Sequence, residues 1–145
     1  TLVALMTFNK PITENAKRLA DYELTRFCTL NGYKVYEAAS TLFNYFVSKY
    51  NPTGIISYSD IGKTRGTLYN KLGFTTIGMN YPRYVWTNKQ VTYKRRSCQK
   101  QFLPKLLNDP NIDLSKTEDQ IMLEHGFYKV YDAGTRIHLW TNKTG

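Results

Sequence analysis

Apolar and polar positions change rhythm several times along the chain, and each change predicts an element. Leu2 to Phe8 is an apolar run stopped by Asn9-Lys10-Pro11, which reads as a strand ended by a residue that cannot donate to a sheet ladder. Tyr22 to Cys28 alternates, with Tyr22, Leu24 and Cys28 set against Glu23, Arg26 and Phe27, and predicts a second strand of open register. Ala38, Ala39, Leu42, Phe43, Phe46 and Val47 follow the i, i+3, i+4 spacing of an amphipathic helix, with Ser40 placed as its cap and Asn51-Pro52 at its end. Gly54 to Asp60 is β-rich and enters the polar loop Ile61 to Gly66. Thr67 to Leu72 then forms a brief helix closed by Gly73, where a left-handed cap is needed.

Thr75 to Thr87 is aromatic and β-branched but broken by Pro82, so it predicts a bulged strand or two strands meeting at a bend. Thr117 to His125 reads as a short helix ended at Gly126. Phe127 to Tyr131 and Ile137 to Trp140, joined by Asp132-Ala133-Gly134-Thr135, read as a closing hairpin. Strands alternating with helices predict an α/β (α+β) fold with a mixed central sheet, short flanking helices and at least one parallel strand pair. A chain of 145 residues suits a single domain with one core, residues 1–87 forming the sheet and 88–145 a basic segment, a short helix and the hairpin.

Composition narrows the class. A 41% hydrophobic and 14% aromatic chain is too apolar to be intrinsically disordered. No apolar run approaches the roughly 20 residues of a membrane span, so a soluble, cytoplasmic protein without a membrane partner is expected. The start on Thr1 inside an apolar run suggests a piece of something longer. Cys28 and Cys98 lack zinc-site spacing and read as free thiols; His125 and His138 read as surface or hairpin residues, and no metal site is expected.

The charge is the strongest chemical signal. The chain carries a net +9, and residues 83–105 hold seven basic residues and no acid. Arg83, Lys89, Lys94, Arg95, Arg96 and Lys100 are therefore expected to line a groove that neutralises phosphates, with Tyr81, Tyr84, Trp86 and Tyr93 available to stack on bases. Lys63, Arg65 and Lys71 would extend that patch, and the partner would be nucleic acid, duplex DNA in the first instance. The competing reading is a solvated charged face.

Two resemblances add to this. Gly66-Thr67-Leu68-Tyr69-Asn70-Lys71-Leu72-Gly73-Phe74 resembles the signature of GNAT acyltransferases, in which a short helix bearing a tyrosine ends in Gly-Phe. That resemblance implies acetyl-CoA as cofactor, Tyr69 as general acid for the departing thiolate, and Ala38, Ala39, Ser40 and Thr41 as the cradle of its pyrophosphate. Here the cradle loop is Lys34-Val35-Tyr36-Glu37-Ala38-Ala39, with alanines where the family keeps glycines and a carboxylate at Glu37. Read from the residues alone, Tyr69 is a core tyrosine with a bonded hydroxyl.

A second resemblance spans nearly the whole chain, from Tyr22-Glu23-Leu24 through Ala39-Ser40, Ile56-Ser57-Tyr58, Leu68 to Phe74 and Lys116-Thr117-Glu118 to Gly126-Phe127-Tyr128-Lys129-Val130-Tyr131-Asp132-Ala133-Gly134. It is similar to the C-terminal domain of phage homing-endonuclease-like proteins, in which such a domain follows a nuclease core similar to very-short-patch-repair endonucleases. This resemblance implies a phage-encoded DNA-binding or targeting module acting in the host bacterial cytoplasm, without a nuclease core of its own and joined to a nuclease domain or subunit. An acetyl-CoA-dependent N-acyltransferase and a protein-interaction domain using its aromatic surface are the other functions that fit the sequence.

Overall fold

The structure, a computed structural model, describes residues 1–35 and 37–143. Its described residues form a mixed α and β fold with eight strands in two sheets and five helices. The chain divides into two compact units, one made of Thr1–Tyr81 with Gly134–Gly145 and the other of Pro82–Ala133. A single core was expected; the buried hydrophobic residues instead form separate clusters, each lying within one unit.

The first unit is a five-stranded sheet in the order β1-β2-β3-β8-β4, with β1 Ala4–Asn9, β2 Tyr22–Thr29, β3 Gly54–Asp60, β4 Thr75–Asn80 and β8 Thr135–Thr141. Only β2 and β3 are parallel, and they pair over just two positions, Tyr22 with Ile55 and Glu23 with Ile56. Beyond that point the Ser57 hydroxyl donates to the Leu24 carbonyl at 2.7 Å, replacing the ladder bond that the diverging strands no longer make. The expected parallel pair is therefore present but short.

Helices α2 (Ala38–Tyr50) and α3 (Thr67–Leu72) supply one cluster with the sheet, built on Leu24, Phe43, Ile55, Leu72 and Phe74. The Phe8 and Phe46 rings stack in it at 3.6 Å. A smaller cluster joins Ile56 to Ala16 and Ala20, the first on and the second just after helix α1 (Glu14–Leu19). That six-residue helix is too short to show periodicity and was not foreseen, although its cap is local: Thr13 accepts from the Ala16 N–H. The expected Ser40 cap is corrected, because α2 begins earlier. Glu37 is its cap residue, in the left-handed region at φ 57° and with no side-chain cap bond, and Ser40 lies inside the first turn. Gly73 caps α3 at φ 92° as the sequence predicts.

The second unit is an antiparallel sheet in the order β6-β5-β7, formed by β5 Tyr84–Thr87, β6 Thr92–Lys94 and β7 Tyr128–Tyr131. Two 3-10 turns, Arg95–Cys98 and Lys100–Phe102, lead into α4 (Leu103–Leu106). Helix α5 (Glu118–Glu124) opens on a reciprocal capping box between Thr117 and Gln120. Trp86, Cys98, Leu103, Ile121, Met122 and Phe127 are the buried centre of this unit. The predicted terminal hairpin is not formed. β7 pairs with β5 and β8 pairs with β3 and β4 in the other sheet, so the residues between them cross from one unit to the other rather than turning a hairpin.

Because each cluster belongs to one unit, a core truncation should act locally. Trp86→Ala should destabilise the second unit by about 3–5 kcal/mol. Hydrogen exchange should then quicken at β5, β6 and β7 while β2, β3 and β8 keep their protection.

Candidate nucleic-acid interface

All seven basic residues of the 83–105 segment fall in the second unit. Arg83, Lys89, Lys94, Arg95, Arg96 and Lys105 are exposed, whereas Lys100 is half-buried and its Nζ donates to the Leu114 carbonyl at 3.3 Å. Lys94 closes β6 opposite Val85, and Arg95 and Arg96 follow in the 3-10 turn, so these three cations are contiguous. Arg95 lies 5.4 Å from the centre of the Tyr84 ring. Lys89 stands apart in the β5–β6 turn, with φ 77°. The Arg83 backbone exchanges bonds with Asp132, whose carboxylate accepts from the Arg83 N–H at 2.8 Å and so tempers the positive field there.

The unit also carries six acids, and their placement decides how much of the segment's charge is felt. Glu124 pairs with Lys116 at 2.7 Å, Asp119 with Lys129 at 2.6 Å and Asp109 with His125 at 3.1 Å. Asp113 accepts from both the backbone and the hydroxyl of Ser115. Among the described residues, no carboxylate forms an ion pair with Lys89, Lys94, Arg95, Arg96 or Lys105. Four of the six acids are thus engaged with Lys116, Lys129, His125 and Ser115, and Lys89, Lys94, Arg95, Arg96 and Lys105 stay exposed without an ion-paired carboxylate.

The expected stacking aromatics are partly corrected. Trp86 is 1% exposed and belongs to the core, because Tyr84 and Trp86 share the face of β5 that packs inward. Tyr84 and Tyr93 are half-buried against the same cluster, Tyr93 with its ring 5.6 Å from that of Phe127. Tyr81, in the first unit, is fully open to solvent. In the second unit the exposed rings are Phe102, Tyr128 and Tyr131, none of which was singled out in the sequence. Of Lys63, Arg65 and Lys71, all in the first unit and exposed, Lys63 lies 3.8 Å from Asp60.

Tyr69, in the first unit, donates its hydroxyl to the Tyr58 carbonyl at 3.4 Å and stacks its ring on His138 at 4.4 Å. His138 corrects the reading of a surface or hairpin residue: it is 1% exposed and sits at the centre of a polar cluster. Its Nε2 lies 2.7 Å from the Ser59 hydroxyl and its Nδ1 3.0 Å from that of Thr76, the residue opposite it on β4. The signal was present, since His138 has the same strand parity as Trp140, which packs in the core. Gly66 closes over this pair at φ 73°; a Cβ there would come 3.2 Å from both Ser59 Oγ and the imidazole.

The proposed cofactor cradle is less closed. Ala38 is buried, Ala39 and Ser40 are half-buried and Thr41 is exposed on the first turns of α2, and Tyr36 of the preceding loop lies outside the described residues. Elsewhere in this unit, burial raises the pKa of the Glu23 carboxyl, and Asp60 accepts from the Gly62 N–H.

The two histidines titrate in opposite directions. Burial, helped by the Arg136 charge, lowers the pKa of His138, so the stability its neutral form supports is complete above about pH 6.5 and is lost as pH falls toward the folded value. The Ile121 carbonyl, then Asp109, raise the pKa of His125, so its contribution is complete below about pH 6.5 and is lost as pH rises through the folded value. Ring-proton NMR titration should therefore show His138 resisting protonation and His125 gaining its proton first. Hydrogen exchange on going from about pH 7 to 5.5 should weaken protection in the first unit and strengthen it around α5. No protein-family model matches the chain, and a search of curated proteins finds no match to it.

Proposed function

We propose that the chain is a DNA-binding or targeting module, with cleavage supplied by a nuclease domain or subunit. The observation that carries this reading is the separation of charge in the second unit. Lys116, Lys129 and His125 take three of its carboxylates, leaving Lys89, Lys94, Arg95, Arg96 and Lys105 exposed without an ion-paired carboxylate. A phosphate backbone is the ligand for which such unpaired cations are worth most, because each contact releases condensed counterions. The resemblance to phage homing-endonuclease-like proteins points the same way.

One observation favours a second reading, an acetyl-CoA-dependent acyltransferase. β2 and β3 separate after two paired positions, and the chain beyond β2 leads into the N-terminus of a 13-residue helix, α2. The Glu37 carboxylate at that N-terminus opposes a pyrophosphate, and the Tyr69 hydroxyl is already engaged.

Fluorescence anisotropy with a labelled duplex separates these readings. Affinity should fall steeply between about 50 and 200 mM salt, and Arg95→Glu with Arg96→Glu should weaken binding to unrelated sequences alike and flatten the salt dependence. No binding at about 50 mM salt would overturn the proposal. Saturable heat on calorimetric titration with acetyl-CoA would transfer it to the second reading.

A further inference from the structure

The segment from Arg96 to Leu106 is fastened at two points and open between them. Cys98 and Leu103 are both 0% exposed and anchor it in the core of the second unit, and the Phe102 N–H donates to the Gln99 carbonyl at 2.8 Å. Around these anchors Arg96, Ser97, Gln101, Phe102 and Lys105 are exposed, while Leu106 is half-buried against the core. Arg96, Ser97, Gln101, Phe102, Lys105 and Leu106 line a concavity of about 680 Å³, open to solvent, with no acid among them. Its volume lies within the roughly 300–1,000 Å³ of sites that hold small organic ligands.

Three chemistries meet there. Phe102 is 48% exposed, although the residue after it is fully buried, so an apolar ring is held at the surface by a backbone that cannot withdraw it. Arg96 and Lys105 are exposed cations of the same lining and have no ion-paired carboxylate. The Ser97 hydroxyl and the Gln101 amide offer hydrogen-bond donors and acceptors. A ligand complementary to all three is flat and aromatic, has polar edges and carries a phosphate.

We propose that this concavity takes a single unpaired nucleotide of the bound DNA, its base against Phe102 and its phosphate between Arg96 and Lys105. The proposal rests on the DNA-binding reading and sharpens it: the module favours DNA in which a base is already out of the stack. Intact duplex offers its phosphates to the same cations but has no free base face to offer the ring, and unstacking one costs energy that a bulge has already spent.

The experiment compares three fluorescein-labelled DNAs of one sequence, an intact duplex, the same duplex with one unpaired nucleotide, and the single strand, against the full chain. The bulged duplex should bind roughly tenfold tighter than the intact one, the size of effect that one base stacking on an aromatic side chain provides. Phe102→Ala should bring the bulged duplex down to the affinity of the intact duplex and leave the intact duplex within about twofold. Phe102→Trp should keep the preference. Unchanged far-ultraviolet circular dichroism and a cooperative thermal transition establish that each variant is folded. Equal affinity for bulged and intact duplex, or a Phe102→Ala loss that is the same for both, overturns this inference and leaves the DNA-binding reading standing. Absence of binding to every DNA removes both.

Discussion

The structure depends on β8 lying between β3 and β4. Without that strand, β3 keeps only its two-position pairing with β2, and β4 has no ladder. With it, β3 gains seven register partners from Gly54–Thr141 to Asp60–Thr135, and β4 is joined to the sheet. The same strand carries His138 between Ser59 and Thr76 and Trp140 against Phe43, so one segment ties both polar and apolar parts of the first unit. The second unit is inserted in the chain between the two antiparallel neighbours β4 and β8, which explains how its 52 residues can be present without breaking the sheet.

Elements whose signals are local were legible in the sequence. Gly73 after Leu72 marked the end of α3, and Thr117 three residues before Gln120 marked the start of α5, because caps are decided within one turn. What depended on distant partners was not. The run 127–131 and the run 137–140 look like two halves of a hairpin, but β7 finds β5 and β8 finds β3 and β4, choices that no property of the connecting residues records. Trp86 was offered to a ligand and went to the core for the same reason: alternation says that Tyr84 and Trp86 share a face, and the packing of Cys98, Leu103 and Ile121 decides which face it is.

The candidate interface was legible as a composition and not as an arrangement. The basic run could be counted, and six of its seven cations are exposed, but the six acids that follow it in the same unit cancel much of its charge on paper. Structure changes that sum into a geometry. Lys116 and Lys129 neutralise Glu124 and Asp119 at 2.7 and 2.6 Å, and the cations of the earlier run are left over. Phe102 could not have been chosen from the sequence, since its exposure follows from the burial of Cys98 and Leu103 on either side of it.

The placement of β8 also sets a clock on synthesis. Pro82–Ala133 is one continuous stretch, whereas the first unit is discontinuous and cannot complete its sheet until residues beyond Gly134 have been made. At about 5–20 residues per second, the 52 residues of the insertion keep β3 and β4 waiting for roughly 3–10 s. Throughout that interval Ile55 and Ile56 sit on a strand with an open edge, the kind of surface on which nascent chains pair with one another. The architecture that permits an insertion thus keeps an unpaired strand edge on the nascent first unit until almost the whole chain has been made.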